Sequence, residues 1–123
     1  MAFRIEQWPA SVQKKEIEAL PPAAAESVLV MLRAMRARGP ILEEYKTKRL
    51  SGHLQGLIQV SMKINREQIR ILYSVYGLQI VIFHVFKKTS PQVERRGYDK
   101  ALKRKKTAKT IIKDKNDDLP TIH

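Results

Sequence analysis

The chain has 123 residues, enough for one domain with a single hydrophobic core. It contains no cysteine and no apolar run of the ~20 residues that a membrane helix needs, which excludes a disulfide scaffold, a thiolate metal site and a membrane-spanning protein. Twenty-four lysines and arginines against 12 acids give a net charge of +12, and the excess is confined to residues 45–123. This asymmetry favours a polyanionic partner, namely nucleic acid, the ribosome or an acidic protein, over a surface charged only for solubility.

The N-terminal third predicts a short strand followed by two helices. Residues 2–8 alternate as an edge strand does. Ser11 is expected to cap a brief helix over residues 11–20, and a second helix over residues 22–38 ends at Gly39. The first ten residues lack a secretory core, so we expect a cytoplasmic protein.

The middle of the chain predicts a small antiparallel sheet. Residues 40–53 are interpreted as a loop, and residues 57–64 alternate between apolar and polar side chains. A turn over residues 65–68 leads into a strand over residues 69–76, and a second turn precedes a last strand over residues 79–86. The sheet is therefore expected to have one apolar face and one sparse polar face.

The pairing of two of these strands predicts a site on the polar face. If Ile64 pairs with Ile69, then Lys63 lies directly opposite Arg70. Two like charges in that position are destabilising. We interpret the pair as a cradle for an anion such as phosphate.

The C-terminal part predicts a basic helix. Ser90 and Pro91 are suited to its cap and first position, and the helix is expected to reach about Lys106. Residues 107–123 lack apolar periodicity and are expected to form a disordered, mobile tail. The fold class is thus α+β, one domain over residues 1–106 in which an N-terminal helical hairpin packs on the sheet.

Few carboxylates are available for metal chemistry. Glu67 is the one acid between Tyr45 and Val93, and the histidines lack metal-ligand spacing. We therefore expect no metal and no cofactor. RNA cleavage suits a site of lysines and arginines, because the 2′-hydroxyl of the substrate is the nucleophile and fixed cations can stabilise the reacting phosphate. His84 lies among apolar residues, which favours a hydrogen-bonded structural histidine over a catalytic one.

Three segments carry a resemblance to a known family. The segments GHLQGLIQVSMK, IRILYSVYGLQIVIFHVFKKTSP and ALKRKKT resemble the RelE/ParE superfamily, particularly its HigB-type and phage-derived RelE-like branch, over residues 2–106. The resemblance implies the toxin of a type II toxin–antitoxin system that cleaves mRNA on the ribosome. It also implies a cognate antitoxin, expected to be a helix-turn-helix protein that forms a hetero-oligomer with the toxin.

The resemblance also implies roles for individual residues. Arg70 matches an arginine that contacts the scissile phosphate, and Lys88 matches a positively charged residue after the last strand that stabilises the transition state. Lys63 and His53 complete the expected catalytic set. An RNA-binding role is expected for further basic residues, which are Lys46, Lys48, Arg49, Arg66, Lys87, Lys103 and Arg104.

Departures from the pattern leave a second hypothesis open. Gln59 replaces a typical acid and Ser61 a typical base, and Tyr98 is the one candidate for a usual C-terminal tyrosine. These changes favour a non-catalytic protein of the same fold that inhibits gyrase or another partner, or a phage-derived regulator. Neither the general base nor the codon preference follows from the sequence.

Overall fold

The structure is a computed structural model that describes residues 2–115, with side chains described as far as residue 108. Its centre is a five-stranded sheet in the order β1-β5-β4-β3-β2. The strands are β1 Arg4–Gln7, β2 Lys46–Arg49, β3 Ile58–Ile64, β4 Glu67–Tyr76 and β5 Gln79–Lys87. The helices are α1 Pro22–Arg38 and α2 Pro91–Lys115, with a π-helical turn at Val12–Ile17 and a 3-10 turn at Gly52–Leu54. The α+β class predicted from the sequence is confirmed.

The sheet is buried on both faces, which gives the molecule three layers. One face packs with α1 and the π-helical turn around a core that includes Val28, Met31, Ile69, Ile71, Tyr73 and Ile82. The other face packs with α2 around a second core that includes Leu57, Leu72, Phe83, Ala101 and Ala108. The polar face predicted from the sequence is therefore partly covered by α2.

The N-terminal segments form much as predicted, with one difference in capping. Helix α1 begins with Pro22 in its first turn and ends at Gly39, whose φ of 115° lies in the region that favours glycine. The preceding helix is a six-residue π-helical turn, and Ser11 makes no capping hydrogen bond through its side chain. The expected Ser11 cap is therefore wrong.

Strand β2 lies inside the segment that the sequence predicted to be a loop. Its residues, KTKR, carry no apolar alternation, and its position is set by pairing with β3 at the sheet edge. Charged lysines are common on exposed edge strands because they discourage further pairing. At the other edge β1 pairs with β5 in parallel, so the sheet is mixed rather than wholly antiparallel.

The register of β3 and β4 differs by two residues from the predicted one. Asn65 and Arg66, with φ of 49° and 69°, form a two-residue turn, so Ile64 pairs with Glu67. Lys63 then lies opposite Gln68, and Arg70 lies opposite Ser61. The predicted Lys63–Arg70 pair is wrong. The faces were nevertheless assigned correctly, because a shift of two residues preserves the side of every side chain.

Helix α2 begins at the predicted cap but ends later than expected. The backbone N–H of Val93 donates to Ser90 Oγ at 3.2 Å. The helix continues to Lys115, and Ala108 is buried against the sheet, so the predicted end near Lys106 is wrong. Of the predicted disordered tail, residues 107–115 are helical, and residues 116–123 lie outside the described part of the chain.

Candidate functional site

Arg70 occupies the centre of the α2-facing side of the sheet. Its side chain is 11% exposed, and its Nε lies 3.3 Å from Oε2 of Glu94 on α2. One terminal guanidinium nitrogen also donates to Gln68 Oε1 at 3.0 Å. The guanidinium is thus held between β4 and the first turns of α2.

Lys88 reaches the same carboxylate from the end of β5. Its backbone N–H donates to the carbonyl of Gln68 at 2.7 Å, so the chain stays paired just beyond the strand. Its Nζ lies 3.5 Å from Oε1 of Glu94. Each oxygen of Glu94 therefore faces one cation. Both distances exceed the 2.7–2.9 Å typical of charge-assisted hydrogen bonds, so neither contact is tight.

Glu94 is the residue of this candidate site that sequence reasoning missed. It lies just outside the carboxylate-poor stretch, in the first turn of α2, where an acid interacts favourably with the helix dipole. The cap by Ser90 fixes where that turn begins. The available signal was the strand–helix junction itself, because a helix that follows β5 at once and returns over the sheet must bring its first turn near the strand end.

Tyr98, one helical turn after Glu94, completes the site. Burial raises the pKa of the Tyr98 phenol, the negative charge of Glu94 raises it further, and the Arg70 guanidinium lowers it. A hydrogen bond with Gln59 also lowers it. The phenol therefore lies among the side chains of β3, β4 and α2, inside the last helix.

Three more of the basic residues predicted to bind RNA or to act in catalysis lie on the same face of the sheet as Arg70. Lys63 is exposed and lies opposite Gln68, while Lys46 and Lys48 on β2 lie opposite Ser61 and Gln59. Lys46 and Lys63 also line a groove of about 720 Å³ that lies on the α1 side of β2 and β3 and includes two acids, Glu26 and Glu44. The structure thus places a basic rim beside Arg70 and Lys88.

Several predicted RNA-binding residues lie elsewhere. Lys87 points to the other face and pairs with Glu67 at 3.0 Å, and Arg49 lies opposite Ile58 on that same face. Arg66 is exposed in the turn between β3 and β4, and Lys103 is exposed on α2.

His53 does not join the site. It is exposed in the 3-10 turn that precedes Gly56, and Gly56 lies against the side chain of Lys105. Lys105 lies eleven positions after Glu94 on α2, a rise of about 16 Å. The structure therefore gives no support to His53 as a partner of Arg70 and Lys88.

Arg104 is held in the interior rather than presented to a ligand. Its side chain is 17% exposed, and one of its nitrogens donates at 2.6 Å to Oε2 of Glu16 and at 2.6 Å to the carbonyl of Phe83. Oε1 of Glu16 accepts from His84 Nδ1 at 2.7 Å and from the Val85 N–H at 2.9 Å. The expected RNA-binding role of Arg104 conflicts with this burial, whereas the structural role predicted for His84 agrees with its hydrogen bond.

Comparison with known proteins supplies a family. Residues 15–106, most of the chain, match the family described as phage derived protein Gp49-like. The chain belongs to this family. Its fold is that of the E. coli toxin RelE, seen in a free-state arginine-to-alanine double mutant with a TM-score of 0.54. The two are 15% identical, over 80% of this chain and 97% of RelE. No curated protein matches the sequence.

The Gp49-like family match agrees with the predicted phage-derived branch, and the likeness to RelE confirms the predicted RelE-like fold. Among the described side chains of this Gp49-like protein, those of residues 2–108, no three histidines or acids come together as a metal site would require. Neither helix in the described part of the chain is both long and apolar enough to cross a membrane.

Proposed function

We propose that this Gp49-like protein is the toxin of a type II toxin–antitoxin system and cleaves mRNA on the ribosome without a metal ion. The observation that carries the proposal is the convergence of Arg70 and Lys88 on one carboxylate, that of Glu94, between the sheet and α2. Two cations that contact the two oxygens of a carboxylate can bind two oxygens of a phosphate in the same way. The Glu94 carboxylate marks the place where the scissile phosphate binds.

The chemistry of RNA suits this arrangement. The 2′-hydroxyl attacks the adjacent phosphorus, and negative charge grows on the phosphate oxygens in the transition state. The guanidinium of Arg70 is oriented by its hydrogen bond to Gln68, and the backbone N–H of Lys88 pairs with the carbonyl of the same residue, so both residues are held in position at the sheet. Preorganised donors of this kind supply a large part of many enzymes' rate acceleration.

The lysines of the basic rim provide contacts for the phosphates of the substrate. Lys63, Lys46 and Lys48 are exposed on the face that also carries Arg70, and Lys103 is exposed on α2. These side chains contact the phosphates on either side of the scissile one, or those of ribosomal RNA. Binding of this type weakens as salt concentration rises, because released counterions drive it.

The biological setting follows from the proposed class. The protein acts in the cytoplasm on translated messages, and a cognate antitoxin, expected to be a helix-turn-helix protein, silences it in a hetero-oligomer.

Inducing the protein in bacteria is expected to arrest growth and to produce cuts within translated messages. Arg70→Ala and Lys88→Ala should each lower the cleavage rate by about 10²–10³-fold, the loss that follows removal of one transition-state donor. Primer extension on a reporter mRNA in a purified translation system measures the cuts. Arg38→Ala is the matched control, because Arg38 is also paired with a carboxylate, Glu44, but at an exposed position at the end of α1.

Cuts that require ribosomes and disappear in both variants, but persist in Arg38→Ala, support the proposal. A wild-type protein that arrests growth with intact messages contradicts the nuclease and favours the non-catalytic protein of the same fold. A protein that leaves both growth and messages unchanged rejects the toxin assignment.

A further inference from the structure

We propose that Glu94 is the general base of the cleavage reaction, the group that removes the proton from the 2′-hydroxyl. This inference rests on the proposed function and names the one role that Arg70 and Lys88 leave unfilled. A guanidinium and an ammonium carry donors but no lone pair, so in their charged forms neither can accept the proton. A carboxylate can.

Glu94 is the carboxylate placed to act at a phosphate held by Arg70 and Lys88. It contacts both cations, at 3.3 Å and 3.5 Å, and its side chain is 21% exposed, so solvent and substrate can reach it. A nucleotide whose phosphate enters between the cations brings its ribose next to the displaced carboxylate. The loose contacts allow Glu94 to turn from the cations to the 2′-hydroxyl without breaking a tight ion pair.

The other described candidates on or near the sheet are engaged elsewhere. Glu67 pairs with Lys87 on the opposite face. Glu16 is enclosed with His84 and Arg104, and hydrogen bonds outweigh its burial and lower its pKa to about 2, which makes it a weak base. The Nδ1 of His84 faces Glu16, and its side chain is 10% exposed.

The neighbouring polar side chains cannot replace Glu94. Gln59, on β3 beside Tyr98, is an amide, which accepts a hydrogen bond but does not take up a proton near neutral pH. Tyr98 retains its proton, since burial and the charge of Glu94 both raise its pKa. The phenol can instead donate to Glu94 and hold the carboxylate in place for the reaction.

In the proposed reaction one proton passes to Glu94, one bond to phosphorus forms and one breaks. The 2′-hydroxyl proton passes to a carboxylate oxygen of Glu94 while the 2′-oxygen forms a bond to phosphorus and the bond from phosphorus to the 5′-oxygen breaks. The leaving 5′-oxygen takes a proton from water, and Glu94 returns its proton to solvent. The products are a 2′,3′-cyclic phosphate and a 5′-hydroxyl, and neither an oxidant nor a metal takes part.

Glu94→Gln tests the inference, because it keeps the shape of the side chain and removes its basicity. In a single-turnover assay with ribosomes and mRNA, we expect the cleavage rate to fall by about 10²–10⁴-fold, the usual contribution of a general base. Affinity for the RNA should stay equal or rise, because Arg70 and Lys88 lose a competing anion. The increase of rate with pH on the acidic side of the profile should disappear.

Two further variants keep the test decisive. Glu94→Asp retains a carboxylate one methylene further from the ribose and should keep the acidic limb of the profile with a rate at least tenfold lower, which settles the matter if Glu94→Gln fails to fold. Glu18→Gln removes an exposed carboxylate that lies outside the basic rim and should leave rate and profile unchanged. Circular dichroism and thermal melting check that each variant is folded.

The possible outcomes separate this inference from the proposed function. A Glu94→Gln protein that cuts as fast as the wild type, or faster, shows that Glu94 is only a counter-ion and overturns the inference while the nuclease stands. Equal losses of rate and RNA affinity also overturn it, because they indicate a structural residue. A wild-type protein that cuts no RNA removes both.

Discussion

Glu16→Gln is expected to destabilise the protein by about 3–5 kcal/mol, the usual cost of removing one partner from a buried charged group. The Glu16 side chain is 9% exposed and those of His84 and Arg104 are 10% and 17% exposed. Glutamine keeps the volume but not the charge, so Arg104 remains in the interior without an anion. Urea unfolding followed by circular dichroism measures the change.

The effect should be large because Glu16 joins three parts of the fold. It lies in the π-helical turn, receives the N–H of Val85 on β5, and binds Arg104 of α2. Loss of the carboxylate therefore loosens the attachment of α2 to the sheet. RNA cleavage should fall as well, since α2 also carries Glu94.

Acid should reduce the difference between the wild type and this variant. Burial raises the pKa of Glu16, but hydrogen bonds from His84 and Val85 and the charges around it outweigh burial and lower the pKa from 4.5 to about 2. The unfolded chain therefore takes up this proton first as the pH falls. The stabilisation by Glu16 is fully present above about pH 4.5 and is lost progressively toward pH 2.

Glu18→Gln provides the matched control for both measurements. Glu18 is exposed and lies two residues from Glu16, so its replacement should change the free energy of unfolding by less than about 0.5 kcal/mol. Adding Arg104→Met to Glu16→Gln should recover part of the lost stability, because it removes the unpaired charge. Equal effects of Glu16→Gln and Glu18→Gln would show that the buried cluster does not stabilise the fold.

The sequence predicted the elements and faces that depend on local periodicity. Alternation in residues 57–64 and 69–76 assigned Ile58, Val60 and Ile71 correctly to the core on the α1 side. It could not give the register, which depends on whether the turn uses two residues or four. That single difference separates Lys63 from Arg70 and moves the proposed anion site to Arg70 and Lys88.

Helix α2 has inward-facing residues within its run of lysines and arginines. The run of lysines and arginines after Asp99 looks like a solvated face, yet Ala101, Arg104 and Ala108 follow helical spacing and face the sheet. That spacing was present in the sequence and could have identified Arg104 as an inward residue. The strand–helix junction indicates that Glu94 lies near the end of β5, but its contact with Arg70 also depends on the direction in which α2 crosses the sheet.

Gly97→Ala is expected to destabilise the protein by about 1–3 kcal/mol, although alanine favours a helix over glycine by about 1 kcal/mol. A Cβ at Gly97 would lie 2.6 Å from Cζ and 2.7 Å from Cε1 of Phe86. The ring cannot simply turn aside, because it stacks on His84 with centroids 4.8 Å apart and an interplanar angle of 19°. Thermal unfolding and the cleavage assay together measure the result.

The position of Gly97 links this packing contact to the proposed active site. Gly97 lies between Glu94 and Tyr98 on α2, so a helix pushed away from Phe86 also moves the proposed base away from Arg70 and Lys88. We therefore expect cleavage to fall more than the loss of stability alone explains, in conditions where Gly97→Ala is still fully folded. A shift of about 1 Å at a reacting group is enough for a loss of about 10²-fold.

A double-mutant cycle with Phe86→Ala isolates the cause. Without the ring, Gly97→Ala should become neutral or stabilising by up to about 1 kcal/mol, because only the helix preference remains. Lys100→Ala, at an exposed position of the same helix, should change stability by less than about 0.5 kcal/mol in either background. If Gly97→Ala is equally destabilising with and without the Phe86 ring, the close approach of α2 to β5 is not what requires glycine at this position.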